Sequence, residues 1–264
     1  MSKNLYLFVF VGVAAMICLA ATAANSEYVC GDANDDGTLN VSDAVFIINH
    51  VFIGGPAPDP NCCSDCPPTM TDYDGNVYQT VQIGDQCWMM ENLKVTHYRN
   101  GDPVPDVTVD ADWEALITGA YCEYNNDGGY VEVYGRLYNF YAIEDSRNLA
   151  PEGWHVPTDA EWLALINYLG GESVAGGKMK EAGTEHWAPP NDGATNESGF
   201  TALPAGARNS VGTFYNLGSS TTFWTADENK SNVAWFWVIY YSNPDIYSNY
   251  CYKAAGFSIR CLKD

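Results

Sequence analysis

Apolar residues follow three different rhythms along the chain. From Leu5 to Ala21 they run almost unbroken. Val41, Ala44, Val45, Ile48, Val51 and Phe52 then recur at the three-and-four spacing of one α-helical stripe. Beyond Thr69 they break into short runs between turn residues, and Val77 to Ile83, Val131 to Tyr138 and Ala234 to Tyr241 read as strands. One helix is well signalled in this region. Thr158-Asp159-Ala160-Glu161 is a capping box, in which a hydroxyl and a carboxylate satisfy backbone N–H groups at a helix start. Trp162, Leu165, Ile166 and Leu169 then share a face, and Gly170-Gly171 ends the run. Gly176-Gly177 reads as further termination chemistry. A short helix is predicted near Asp110 to Ile117. Strands and helices do not alternate as βαβ units, so the pattern predicts an irregular α+β domain with short antiparallel strands.

The unbroken first run has the parts of a secretory signal peptide over residues 1–23: Lys3 ahead of it and the small-x-small Ala21-Thr22-Ala23 behind it. An uncleaved anchor helix is the competing reading. The small-residue exit and the lack of a following basic cluster favour cleavage, which predicts a secreted or cell-surface protein that does not span the membrane. A loop-helix unit over 27–55 follows, then a linker over 56–69 rich in Pro and Cys, then a large domain over 70–264. Twelve basic residues stand against 33 acidic ones, a net charge of −21. Such a surface repels nucleic acid and anionic lipid and attracts divalent cations. Beyond the signal stand Cys30, Cys62, Cys63, Cys66, Cys87, Cys122, Cys251 and Cys261. An even set in an exported chain predicts disulfides, with each half of the set able to pair within itself. Zinc held by His50, Cys62, Cys63 and Cys66 is the rival, and the oxidising compartment argues against it.

Residues 32–43 read as a calcium loop. Asp32, Asn34, Asp36, Asn40 and Asp43 put hard oxygen donors at positions 1, 3, 5, 9 and 12, and Thr38 offers its carbonyl at position 7. Gly37 stands at position 6, where the chain must turn sharply. The spacing wraps these oxygens round one Ca²⁺, and a helix is expected directly after. Asp43 ends the loop where an EF-hand has a bidentate Glu. That ending, with Gly31-Asp32-Ala33-Asn34-Asp35-Asp36-Gly37 and Val41-Ser42-Asp43-Ala44, resembles a type I dockerin repeat. The resemblance implies a cohesin-like partner read by Val41 and Ser42. Dockerin loops come in pairs, however, and Glu123 to Tyr134, which begins in register, ends without a ligand and reads as a turn.

The large domain resembles the Fibrobacter succinogenes major paralogous domain. The likeness rests on Asp72-Tyr73-Asp74-Gly75-Asn76, Gln86-Cys87-Trp88-Met89-Met90-Glu91-Asn92-Leu93, Gly135-Arg136-Leu137-Tyr138-Asn139, Gly153-Trp154-His155-Val156-Pro157-Thr158-Asp159 and Gly256-Phe257-Ser258-Ile259-Arg260-Cys261. The last two segments are also similar to C-type lectin and formylglycine-generating enzyme architectures, which implies a lectin-like scaffold. The cysteine pair of the oxidising enzymes is incomplete, because Gly256 stands where the partner of Cys251 is expected. Cys251 and Cys261 are instead expected to pair structurally, with each other or with Cys87 and Cys122.

Little else points to catalysis. Glu181 and Glu185 are four apart, yet Gly183 between them argues against a shared helical face. His155 beside the capping box reads as a packed, hydrogen-bonded residue. The aromatic content is more suggestive. In Ala234 to Tyr241, Trp235, Trp237, Ile239 and Tyr241 alternate with Phe236, Val238 and Tyr240. Burial of both faces explains such a run, and so does a sugar platform. Trp187, Asn191 and Asp192 lie in a Pro- and Asn-rich loop and, with Trp235 and Trp237, are candidates for stacking on and hydrogen-bonding a glycan. Turn chemistry is the alternative for the loop residues. The sequence thus predicts an exported, calcium-binding, non-catalytic module for a glycan, polysaccharide or other cell-surface polymer. A polysaccharide-degrading protein and a structural adhesin are the alternatives.

Overall fold

The structure, a computed structural model, describes residues 40–53 and 66–264. The chain divides into two units between Pro67 and Pro68. In the first, helix α1 spans Val41–Ile53, where the apolar spacing predicts it. Asn40 opens it. Its side-chain oxygen accepts the Ser42 amide at 2.7 Å and satisfies one free N–H of the first turn. Ala44 is buried, whereas Val41, Val45 and Val51 are exposed. The predicted signal segment 1–23, the ligands Asp32, Asn34, Asp36 and Thr38, the side chain of Asp43, and Cys30, Cys62 and Cys63 lie outside the described residues. Among the described residues no helix is long and apolar enough to cross a membrane.

The second unit is mixed α+β, with more strand than helix and three mostly antiparallel sheets. The first has the order β1-β2-β3-β12-β6, with β1 Thr69–Thr71, β2 Val77–Ile83, β3 Gln86–Met89, β6 Trp154–His155 and β12 Leu262–Lys263. The C-terminal strand therefore lies inside its sheet, with Leu262 between Trp88 and His155. His155 is held as the sequence suggests, by Asp264 at 2.7 Å and Glu161 at 3.0 Å. The second sheet has the order β11-β10-β9-β7-β8, with β7 Ala205–Arg208, β8 Phe214–Leu217, β9 Ser220–Lys230, β10 Val233–Tyr240 and β11 Ile246–Tyr252. A small third sheet pairs β4 Tyr121–Cys122 with β5 Leu137–Tyr138.

Helices fill the space between sheets. A short α2, Asp110–Glu114, lies within its predicted range and buries Trp113. The stretch from Val131 to Tyr138 is not one strand. It forms a helical turn, α3 Val131–Tyr134, and then β5. Gly135 makes the break at φ +71°, where a Cβ would strike Asn92 and the Leu93 carbonyl. Another turn, α4, covers Phe140–Ile143. Helix α5, Asp159–Tyr168, begins with both halves of the predicted capping box. Its Trp162 stacks on Phe223 of β9 at 5.3 Å and meets Trp88 of β3 at 4.9 Å, joining both large sheets through one aromatic core. Gly176-Gly177 corrects the sequence reading, for both residues lie inside helix α6, Glu172–Met179. A Cβ at either would collide with backbone, Asp245 at one and Gly193 at the other. These glycines permit close packing, and helix termination is not their role.

The cysteine expectation is also corrected. Cys66 and Cys87 are disulfide-bonded, which removes Cys66 from the rival zinc set. Cys122, Cys251 and Cys261 are free thiols. They sit on separate elements: Cys122 in a small core with Trp113 and Leu137, Cys251 on β11, and Cys261 buried beside β12. Neither expected pairing of Cys251 and Cys261, with each other or with Cys87 and Cys122, forms.

Candidate functional site

The β10–β11 hairpin of the second unit carries an open groove. Two alternating aromatic runs flank Ser242-Asn243-Pro244-Asp245, and Asn243 Oδ1 accepts the Asp245 amide at 3.0 Å to fix the turn. Strand alternation then sorts the side chains. Trp237, Ile239 and Ile246 enter the hydrophobic core. Phe236, Val238 and Tyr240 take the other face, where Asn249 lies opposite Phe236 and Tyr247 opposite Val238. Together they form an open groove of about 430 Å³. Phe236 and Val238 make the floor, Tyr240 and Tyr247 an adjoining aromatic pair toward the turn, and Ser242, Asn243 and Asn249 the polar rim.

The groove is rigid on its inner side. Phe236 packs edge-on against Phe257 at 5.0 Å, and Phe257 packs on Trp224 at 4.4 Å. The Tyr240 and Tyr247 rings stand 6.1 Å apart at 58°, and Tyr247 Oη donates to Asp245 Oδ2 at 2.7 Å. That hydrogen bond raises the Tyr247 phenol above its ordinary range. Asn249 Oδ1 accepts the Tyr250 amide at 2.8 Å, which fixes its amide plane.

Lys180 holds the rim from behind. It is fully buried, and Nζ donates to the carbonyls of Asp192, Tyr240 and Asn243 at 2.8, 3.1 and 3.0 Å. Burial pushes its ammonium down to about 8, opposed by the Asp192 carboxylate. The three carbonyls also favour the charged form. The close approach of α6 at Gly176 and Gly177 adds a second fixation, since the Gly177 amide donates to Pro244 O at 2.8 Å.

Such a site suits a sugar ring. Flat phenol faces cover C–H surfaces, while neutral amides and hydroxyls meet sugar hydroxyls that both donate and accept. No carboxylate pair lines the groove, so nothing in the lining supplies the acid and base that glycoside cleavage requires.

The sequence-derived candidates lie elsewhere. Trp187 and Trp237 are each 1% exposed and belong to the core, so neither is a stacking platform. Trp187 instead donates its indole N–H to Ala202 O at 2.9 Å. Trp235 is half-buried on the face opposite the groove, edge-on to Tyr250 at 5.5 Å. Asn191 is buried and donates to the Glu181 and Gly183 carbonyls at 2.9 and 2.6 Å. Asp192 is exposed but serves the groove through its backbone, accepting from Lys180 and donating to Tyr241 O at 2.8 Å. Tyr240, Tyr247, Asn243 and Asn249 were missed. Their signal was the Asn-Pro turn between two alternating aromatic runs.

Two other clusters bear on chemistry. Glu181, Glu185 and His186 bring one ligand atom each within 4.8 Å of one another. His186 Nδ1 is already bonded to both Glu181 oxygens, at 2.9 and 3.0 Å, so the pair is satisfied without an ion. The environment of the free thiols disfavours the thiolate. Burial pushes Cys122 and Cys251 up to about 12 and Cys261 well above the ordinary thiol range.

The sequence pattern described as the Fibrobacter succinogenes major domain covers residues 81–263. No curated protein and no solved structure matches the chain.

Proposed function

The chain belongs to the Fibrobacter succinogenes major domain family, and from that premise we propose that it is an exported, non-catalytic binding protein that holds carbohydrate in the β10–β11 groove. One observation carries the reading: two adjoining tyrosine rings, fixed by Asp245 and by the Lys180-held rim, border an apolar floor beside neutral amides and hydroxyls. The mixed α+β scaffold is proposed to be lectin-like. Export is supported by the signal-like segment 1–23, and an acidic, cysteine-bearing chain suits an extracellular setting.

Calcium is proposed for the loop from Asp32 to Asp43. Its support is the spacing of Asp32, Asn34, Asp36, Thr38, Asn40 and Asp43, together with helix α1 starting at Val41, directly after the ninth loop position. Calcium there would tie the loop to the start of α1.

A glycan array probed with the mature, full-length protein tests the reading. Specific hits are expected, weakened about tenfold or more in Tyr240→Ala and Tyr247→Ala, as loss of one stacking contact predicts. Trp235→Ala, on the opposite face, leaves them intact. A blank array with folded protein contradicts the proposal and favours a protein ligand. Steady release of reducing sugar from a bound polysaccharide contradicts the non-catalytic part.

A further inference from the structure

Charge is distributed around the groove in a way that selects among glycans. None of the side chains lining it is charged. The carboxylate of Asp245 stands at its turn end, 2.7 Å from the Tyr247 hydroxyl. The cation bonded to the rim, Lys180, is buried and directs its ammonium to three backbone carbonyls, so it offers no proton to a ligand. The whole chain carries a net charge of −21.

Resting on the carbohydrate reading above, we infer that the β10–β11 groove takes uncharged glycans and rejects those bearing carboxylate, sulfate or phosphate groups. A sugar hydroxyl entering the groove exchanges water for a neutral amide or hydroxyl that can both donate and accept. An anionic substituent loses part of its hydration shell and finds no guanidinium, ammonium or imidazolium to replace it. It also meets the Asp245 carboxylate at short range and the acidic surface at long range. The second contribution is screened by salt, and the desolvation cost is not. Discrimination therefore narrows in high salt without vanishing.

The mature, full-length protein is tested by sorting glycan-array hits by charge, then by affinity electrophoresis against matched polymers. Hydroxyethylcellulose is set against carboxymethylcellulose, and dextran against dextran sulfate. Neutral hits are expected to dominate, with the charged member of any bound pair about tenfold weaker or more, and the gap smaller in 1 M NaCl. Asn249→Lys, opposite Phe236 on the groove face of the exposed edge strand, is expected to raise binding of the charged members by a similar factor. Hits dominated by acidic glycans, or an unchanged exclusion in Asn249→Lys, overturn the charge inference and leave the groove reading standing. An array with no hits of either kind removes both.

Discussion

At the scale of single residues, the strongest determinants are buried cations held by several acceptors at once. Arg260 is the clearest. It is 1% exposed, and its guanidinium donates to Asn92 Oδ1, Met89 O, Phe200 O and Thr201 O at 2.7, 3.0, 2.7 and 3.0 Å. Burial pushes it down to about 9, opposed by Glu91. It clamps the loop at Phe200 and Thr201 onto β3 beside the C-terminal strand. Arg260→Met leaves four buried acceptors without a donor and is expected to cost about 3 kcal/mol or more, read as a lower urea midpoint. Lysine has too few donors, in the wrong geometry, to restore it. A midpoint unchanged in Arg260→Met would show that these bonds contribute little. Residue identity revealed this role only in part. The Gly-Phe-x-x-Arg-Cys segment stood out in the sequence, but the acceptors it serves come from two distant stretches, Met89–Asn92 and Phe200–Thr201, that no local pattern connects.

Among secondary-structure elements, local chemistry was legible where local chemistry decides. Strand β2 and helix α5 with its capping box lie where the sequence puts them, because a short run rich in β-branched and aromatic residues between turns and a Thr-x-x-Glu cap act within a few residues. The run from Val131 failed because Val-Glu-Val-Tyr fits a strand or one helical turn equally, and the approach of Asn92 to Gly135 decided it. The tryptophans failed for a related reason. Alternation in β10 separates its two faces correctly, but which face meets the core is set by β9 and α5, far away in sequence. The groove therefore belongs to Tyr240 and not to Trp237. Lys180 exerts its effect at this scale, tying the β10–β11 turn to the loop at Asp192. In Lys180→Met, amides of 240–245 are expected to exchange with deuterium about tenfold faster, while those of α5 keep their protection. Uniformly faster exchange would mark Lys180 as a general core residue, and unchanged exchange would mean the three hydrogen bonds do not hold the rim.

Across the whole molecule, two chemistries are laid out along one acidic chain, a predicted calcium loop and a neutral aromatic groove. The charge that repels anionic partners favours divalent-cation capture. Calorimetric titration of the mature protein with Ca²⁺ is expected to show one site, abolished in Asp32→Ala combined with Asp36→Ala. EDTA is expected to lower the thermal midpoint of the wild type and leave that variant unchanged. Absence of heat on adding Ca²⁺ would refute the loop. The family and the α+β class were legible from ordered motifs. The binding face was not, because a groove made from both strands of a hairpin and braced by a distant lysine exists only after folding.

The most direct test of the carbohydrate groove is an NMR titration of the mature protein with a neutral oligosaccharide chosen from the array hits. The largest shifts are predicted at Tyr240, Asn243, Tyr247, Ser248 and Asn249. Shifts centred on Trp235 or on Glu181 and His186, with the hairpin silent, would contradict it.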